Sequence, residues 1–367
     1  MTWLRTLALC GLTLWGQFAS AADLKAWGYV AWWLPQGWRS VPLEQFERLL
    51  VFDFPVNAEG RLTQRRGWPA DWLELRLAAA QHQVPLELTL SVLDEPTFLR
   101  LFASKAAVQR LLQESMALAQ DSAVAGLHLD IEVYGKVPAP VLQAFREFVT
   151  RLSAALQAMP QARSLSVFVP VGGEAQIYDA PTLARVDAAV MQGYDAHWAE
   201  SPVAGPIAPL DGPSAATWRK AGNLGLSLGL ARDKLLMSFP LYGYEWPVLD
   251  PAPHGKTRGK AISTTYAAQP LGVLPDMEVS VQARVKAYGA KQDPLSASAY
   301  YQFSDAQGQR FEGWFEDVQS LRRKTRYLQA QRLGGVAFFP LGYDNGLLVN
   351  QYFQLLGRRE GRSGVAR

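Results

Sequence analysis

The sequence is poor in cysteine, in histidine and in net charge. Its 367 residues include one cysteine and four histidines, and the formal net charge is +3. The lone thiol, Cys10, lies in a segment that reads as cleavable, so the mature chain is expected to hold neither thiol nor disulfide. An exported chain tolerates that if its core is large. No long Lys or Arg run occurs, so nucleic acid is not an expected partner. Neither an internal repeat nor a low-complexity tract is present.

What is there is apolar and ordered in pattern. Hydrophobic residues make up 49% and charged ones 19%, which suits a packed core and argues against disorder. Residues 1–21 read as a signal peptide. Arg5 starts it, Leu7 to Trp15 is apolar but too short for a good membrane span, and Ala19-Ser20-Ala21 fits a cleavage site. The mature chain is thus expected to be exported, periplasmic or secreted, with no membrane association after cleavage. The tail 357–367 is basic and reads as a solvated terminus.

Short apolar runs alternate with helical patterns. Strands are expected at Leu24–Ala31, Leu49–Pro55, Leu86–Val92, Val124–Val133, Leu165–Val169, Ala188–Tyr194, Leu235–Tyr242 and Gly335–Pro340. Helices are expected at Leu43–Leu50, Trp72–His82, Ala106–Ala119, Pro140–Met159, Ala215–Leu230 and Val318–Arg332. This alternation predicts an α/β chain folded as a (β/α)₈ TIM barrel over 22–356, with an open doubly wound sheet as the alternative. The connection after the seventh strand is too long for a bare loop, and predicts a small α+β insertion at about 247–313.

One strand breaks its own pattern. In Ala125-Gly126-Leu127-His128-Leu129-Asp130-Ile131-Glu132-Val133-Tyr134, residues two apart share a face. His128, Asp130 and Glu132 therefore point one way, and Leu127, Leu129, Ile131 and Val133 the other. In a barrel the aliphatic set meets the helices and the ionisable set faces inward, towards the C-terminal mouth. Unpartnered charges there would cost several kcal/mol each, to order of magnitude, so the stretch points to a site. A half-exposed strand with a polar outer face is the plainer reading.

These residues carry a resemblance. Gly126 to Glu132 resembles the fourth-strand signature D-G-x-D-x-D-x-E of glycoside hydrolase family 18, the chitinase family, with Ala125 and His128 replacing its first two acids. Met191-Gln192-Gly193-Tyr194-Asp195 resembles the sixth-strand M-x-Y-D motif. Lys234 to Tyr244 resembles the seventh-strand segment ending in P-x-Y-G. Gly334 to Asp344 resembles the eighth strand, with Phe339 where the family usually has tryptophan. Tyr194 to Leu210 is most similar to the branch that includes bacterial spore-cortex and cell-wall N-acetylglucosaminidases.

Glycosidic cleavage normally takes two carboxyl groups. The resemblance implies substrate assistance instead, in which the sugar's own acetamido oxygen attacks C1. It implies Glu132 as general acid and then base, Asp130 as acetamido partner, and Tyr194 holding the acetamido carbonyl. Asp195, Gln192, Tyr29, Trp33, Trp198, Tyr242, Phe339 and His128 are the expected substrate contacts. The expected substrate is a polysaccharide containing β-1,4-linked N-acetylglucosamine, peptidoglycan slightly ahead of chitin, handled by a monomer without metal or cofactor. His128 either hydrogen-bonds Asp130 and tunes it, giving titration near pH 6–7 on the free histidine scale, or is a neutral, satisfied core residue.

Aromatics are plentiful, and sugar faces stack on them. Trp32, Trp33, Trp38, Trp198 and Trp246 lie near expected strand ends and are cleft candidates, whereas Trp68, Trp72 and Trp218 read as core. Two other motifs are set aside. Gly225-Leu226-Ser227-Leu228-Gly229 matches G-x-S-x-G but lies in a helical pattern before a strand, the reverse of a nucleophile elbow. Gly255 to Lys260 lacks the spacing of a P-loop. Two other functions fit less well. A lectin would not need both Asp130 and Glu132, and a metal-dependent deacetylase would need more histidines than His82, His197 and His254 supply.

Overall fold

The computed structural model describes residues 24–174, 176–268, 277 and 279–358. Seven strands come first: β1 Lys25–Ala31, β2 Arg48–Pro55, β3 Leu86–Val92, β4 Val124–Ile131, β5 Ser164–Val169, β6 Ala188–Met191 and β7 Leu235–Pro240. Between them run α1 Leu73–Gln81, α2 Glu95–Ala103, α3 Lys105–Ala119, α4 Ala139–Gln157, α5 Ala180–Leu183 and α6 Trp218–Ser227. An antiparallel subdomain follows, made of β8 Tyr242–Val248, β9 Ile262–Thr265, α7 Val281–Tyr288, β10 Lys291–Gln292, β11 Ala299–Ser304 and β12 Arg310–Phe315. The chain returns through α8 Val318–Gln331, β13 Gly335–Phe339 and α9 Leu347–Leu355.

Eight parallel strands close into a barrel in the order β1-β13-β7-β6-β5-β4-β3-β2. The (β/α)₈ expectation holds. Barrel strands are covered on both faces, so most read as continuous apolar runs, and β3 is buried throughout. The helices show why they lie outside. Val141, Phe145, Phe148, Val149, Leu152 and Leu156 of α4 fall on one stripe at helical spacing and are buried. Phe145 meets Phe98 and Phe102 of α2, with ring centroids 5.4 and 5.1 Å away. Cutting Phe145 to alanine would cost about 3–5 kcal/mol. Asp94 and Ser104 start α2 and α3 by accepting the Thr97 and Ala107 N–H.

Where β4 starts, a side chain would not fit. A Cβ on Gly126 would collide with Ser164 and Glu87, so glycine lets these polar groups meet inside the barrel floor.

Several expectations need correction. Leu43–Leu50 is no helix; a 3₁₀ turn covers Leu43–Gln45 and β2 starts at Arg48. Pairing with β1, from Trp27↔Arg48 onward, overrides local helix preference there. The expected strand Leu235–Tyr242 is divided. The Leu241 N–H donates to the Phe339 carbonyl, and Tyr242 already opens the inserted sheet. The insertion therefore runs from Tyr242 to Phe315, wider than 247–313, as a sheet ordered β10-β11-β12-β8-β9. Helix α2, the short α5 and helix α9 were not expected.

Arg358, the first basic residue of the tail, is not loose. Its guanidinium donates to the Leu24 and Gln45 carbonyls at 3.0 and 3.1 Å and pairs with Glu47 at 3.3 Å. The signal peptide expected over 1–21 and the rest of the tail lie outside the described residues.

Candidate active site

Asp130 is the last inward residue of β4. Glu132 follows one pleat further on, just past the strand's end, where its N–H still donates to the Val92 carbonyl at 2.9 Å. Both carboxyls open on a cleft of about 470 Å³ at the C-terminal end of the barrel. Tyr194 and Asp195 enter it from the turn after β6, Phe339 from the end of β13, and Tyr242 and Tyr244 from β8. Trp32, Trp33 and Phe52 line its other side.

The two carboxyls differ in their partners. Glu132 Oε2 accepts a hydrogen bond from the Tyr134 hydroxyl at 2.6 Å. Asp130 Oδ1 is buried and has no partner among the described residues. Burial raises the Asp130 pKa well above the usual aspartate value, and the nearby Glu132 and Asp53 add to it. Burial also raises Glu132, while the Tyr134 bond pulls it back. Asp195 sits at positive φ and accepts from the Tyr242 hydroxyl at 2.7 Å. Burial lifts it to about 6, against the bonds from Tyr242 and Tyr244.

Phe339 is the hub of the aromatic wall. Its ring lies stacked against Tyr194 at 5.8 Å and edge-on to Tyr29, Trp33, Phe52 and Tyr242. Trp33 is fixed by its Nε1–H to the Tyr343 hydroxyl at 2.9 Å.

Residues 76–344 match glycosyl hydrolases family 18. The chain belongs to that family. A curated relative, the cortical fragment-lytic enzyme of Bacillus subtilis, is 27% identical over 127 residues, or 34% of this chain and 26% of that one. The chain thus spans about a quarter of that relative's length. Among solved structures, the spore cortex-lytic enzyme SleL of Bacillus cereus superposes with a TM-score of 0.69 at 18% identity, covering 90% of this chain and 74% of that one. The chitinase of Chromobacterium violaceum superposes with 0.70 at 20% identity, covering 92% and 100%. At such identities these two likenesses speak for the fold.

Within this family 18 barrel, seven of the expected site residues line the cleft: Glu132, Asp130, Tyr194, Asp195, Trp33, Tyr242 and Phe339. Four do not. Tyr29 lies buried beneath the floor. Gln192 is buried too, its side-chain oxygen accepting the Val171 N–H at 2.7 Å while it also hydrogen-bonds Tyr134. Trp198 is exposed but stands off the cleft, and Trp246, in β8, is fully buried instead of reaching it. Trp38 also stays off the cleft, while Trp32 does line it. Trp68, Trp72 and Trp218 are buried, as expected.

His128 does not bond Asp130. Its Nε2 meets the Tyr29 hydroxyl at 3.0 Å and its Nδ1 meets Ser166 Oγ at 2.7 Å. Ser166 gives its own proton to Glu87, so Nδ1 carries the imidazole hydrogen and Nε2 accepts from Tyr29. Burial pushes the histidine pKa down to about 3, with Arg48 adding to it. This is the neutral, satisfied histidine. With both nitrogens committed, His128, Asp130 and Glu132 are not a metal-ligand trio, and no other described cluster has that arrangement.

Sequence reasoning missed Asp53, Arg66, Tyr134, Tyr244 and Tyr343. Asp53 had a signal, since an aspartate interrupts the apolar run Leu49–Phe54. The others come from loops and from the insertion, where no periodicity exists to break.

Proposed function

We propose that the chain is a retaining glycosidase that cleaves β-1,4-linked, N-acetylglucosamine-containing glycan by substrate-assisted catalysis. One observation carries the reading. A buried aspartate with an oxygen unpartnered among the described residues stands one pleat from a half-buried, raised-pKa glutamate, on the floor of an aromatic-walled cleft. An acceptor left empty by the protein suits the N–H of a bound acetamido group. A carboxyl whose pKa burial raises suits a general acid.

The steps balance without a cofactor. The acetamido carbonyl oxygen bonds to C1 as the glycosidic C1–O bond breaks. The leaving oxygen takes the bond pair and the proton of Glu132. Asp130 accepts the acetamido N–H and stabilises the positive oxazolinium, while Tyr194 aims the carbonyl. Water then attacks C1 from the opposite side as the C1–O bond of the oxazolinium breaks and its pair returns to the acetamido carbonyl. Glu132 takes a proton from that water, and configuration is retained overall. Asp195, Tyr242, Trp33 and Phe339 hold the sugar.

Peptidoglycan is favoured over chitin because of the cortex-lytic relative, whose name concerns that protein. Export and action as a monomer belong to the same proposal; the leader-like pattern of residues 1–21 supports the first. Mass spectrometry of products from chito-oligosaccharides and from peptidoglycan tests it. Wild type should release products ending in N-acetylglucosamine, and Glu132→Gln should not. No such product from either glycan would defeat the reading.

A further inference from the structure

The cleft has a flank that the proposed chemistry does not use. It lies over β1 to β3, across from Asp195 and Tyr244, and is built by Trp32, Asp53 and Arg66. Arg66 comes from the loop between β2 and α1. Its backbone is held at φ 48°, and its carbonyl accepts the Trp72 indole N–H at 2.8 Å. Its guanidinium carbon lies 4.0 Å from the centre of the Trp32 ring. That is close enough for a cation–π contact, and it takes the ring face on which a sugar would otherwise stack.

The charge is held but its donors are not used up. Arg66 approaches Asp53 Oδ1 at 3.5 Å, too far for a hydrogen bond, and its Nε has no partner among the described residues. Asp53 Oδ2 is committed to the Ser91 hydroxyl at 2.6 Å. Arg284 shows what a closed pair looks like here, with two bonds to Glu245 at 2.7 and 2.8 Å. Arg66 is 20% exposed in its side chain, and it is the one cation among the described residues lining the cleft. The other ionisable acids there are carboxyls: Asp53, Asp130, Glu132 and Asp195. A planar, preorganised fork of charged donors matches a planar acceptor better than it matches a hydroxyl.

We infer that Arg66, stacked on Trp32 and steadied by Asp53, forms a carboxylate-binding subsite in the glycan cleft. The preferred substrate is then an N-acetylhexosamine glycan whose neighbouring sugars carry a carboxylate, as an ether-linked lactyl group or as a uronic acid. A neutral polymer leaves the fork unfilled. The inference rests on the glycosidase reading for turnover, but not for binding.

The test uses the full chain and matched probes. These are alternating tetrasaccharides of N-acetylglucosamine with a lactyl-ether sugar or with a uronic acid, each also in a carboxyl-reduced form. Wild type should have a kcat/KM about tenfold higher for at least one acid probe than for its reduced form, as expected for a hydrogen bond to a charged group. The probe that shows the difference tells the two carboxylate sources apart. Arg66→Gln should bring that ratio to about one. Equal rates on acid and reduced probes with wild type, or a ratio kept in Arg66→Gln, would overturn the subsite. The wild-type comparison needs no variant, so misfolding of Arg66→Gln cannot hide the answer. Calorimetry with Glu132→Gln separates the two readings. Acid-selective binding with no turnover of any probe by wild type keeps the subsite and removes the glycosidase. Turnover without acid preference does the reverse.

Discussion

His128 and Asp130 stand on one face of one strand, a single pleat apart, yet they live in opposite environments. Both ring nitrogens of His128 are answered, although Thr89 Oγ1, on the residue in register with it, is buried with no partner among the described residues. Tyr29, His128, Ser166 and Glu87 form a continuous hydrogen-bonded chain, and Ser164 and Arg48 close on Glu87 from below. Around Asp130 an oxygen is left bare, and its neighbours Glu132 and Asp53 raise its pKa further. At the floor of the barrel the histidine is held by its neighbours, and at the mouth Asp130 leaves an acceptor open among the described residues. Burial alone does not separate the two, since both residues are buried. Partnering does.

Where the family signature places its second acid, the chain has His128, and a carboxyl reaches that level from the next strand instead. Glu87 of β3 sits two residues below the position paired with His128, and Ser166 links the two. At this level of the barrel the charge is supplied by β3, and His128 is held by Tyr29 and Ser166.

The contrast can be broken from the top downward. On the proposed mechanism Glu132→Gln removes the general acid, and kcat on an N-acetylglucosamine oligomer should fall by about a thousandfold, within the span known for general acid–base groups. Asp130→Asn keeps the shape but removes the carboxylate that, on the proposed mechanism, balances the oxazolinium. We expect a loss of about a hundredfold in kcat, with substrate binding by the Glu132→Gln, Asp130→Asn pair weakened in calorimetry. A loss below about threefold would show that the bare oxygen serves no transition state.

Tyr134→Phe should act more mildly and through pH. The Tyr134 bond favours ionised Glu132 and lowers its pKa, so removing it raises that pKa. The protonated acid then survives to higher pH, and the alkaline limb of the kcat/KM profile should move upward. A limb that stays in place or moves down would separate Tyr134 from the acid. The smallest catalytic effect is expected at His128. His128→Asn should leave the shape of the pH–rate profile between pH 6 and 7 unchanged, because a histidine held at about 3 does not titrate there. The same variant should lose about 1–3 kcal/mol of stability in denaturant melts, since Tyr29 and Ser166 lose a buried partner. A profile that flattens instead would mean that His128 charges during turnover.

The strand pattern was legible because a barrel strand is read by two rules at once, alternation and length. Leu86–Val92 matched to the residue. Leu43–Leu50 did not, because four apolar residues at near-helical spacing are also what a buried turn and a buried strand need. Trp246 was placed in the cleft on its position after the seventh strand. The chain turns away at Leu241, so β8 buries that indole. Tyr134 and Arg66 gave no local signal. One acts from a loop across two residues, the other from a loop that folds back over a different strand.

Composition and periodicity by themselves determined that the chain builds parallel strands wrapped by helices, and that Asp130 and Glu132 share an inward face near a strand's end. Side-chain direction follows from a period of two, which is local. Only the tertiary structure decided which of the inward polar groups are answered. Barrel closure and strand register bring Ser166 and Tyr29 to His128 and, among the described residues, bring no donor to Asp130 Oδ1. Hydrogen bonding between strands depends on neighbours far apart in sequence, and no pattern within one strand encodes it.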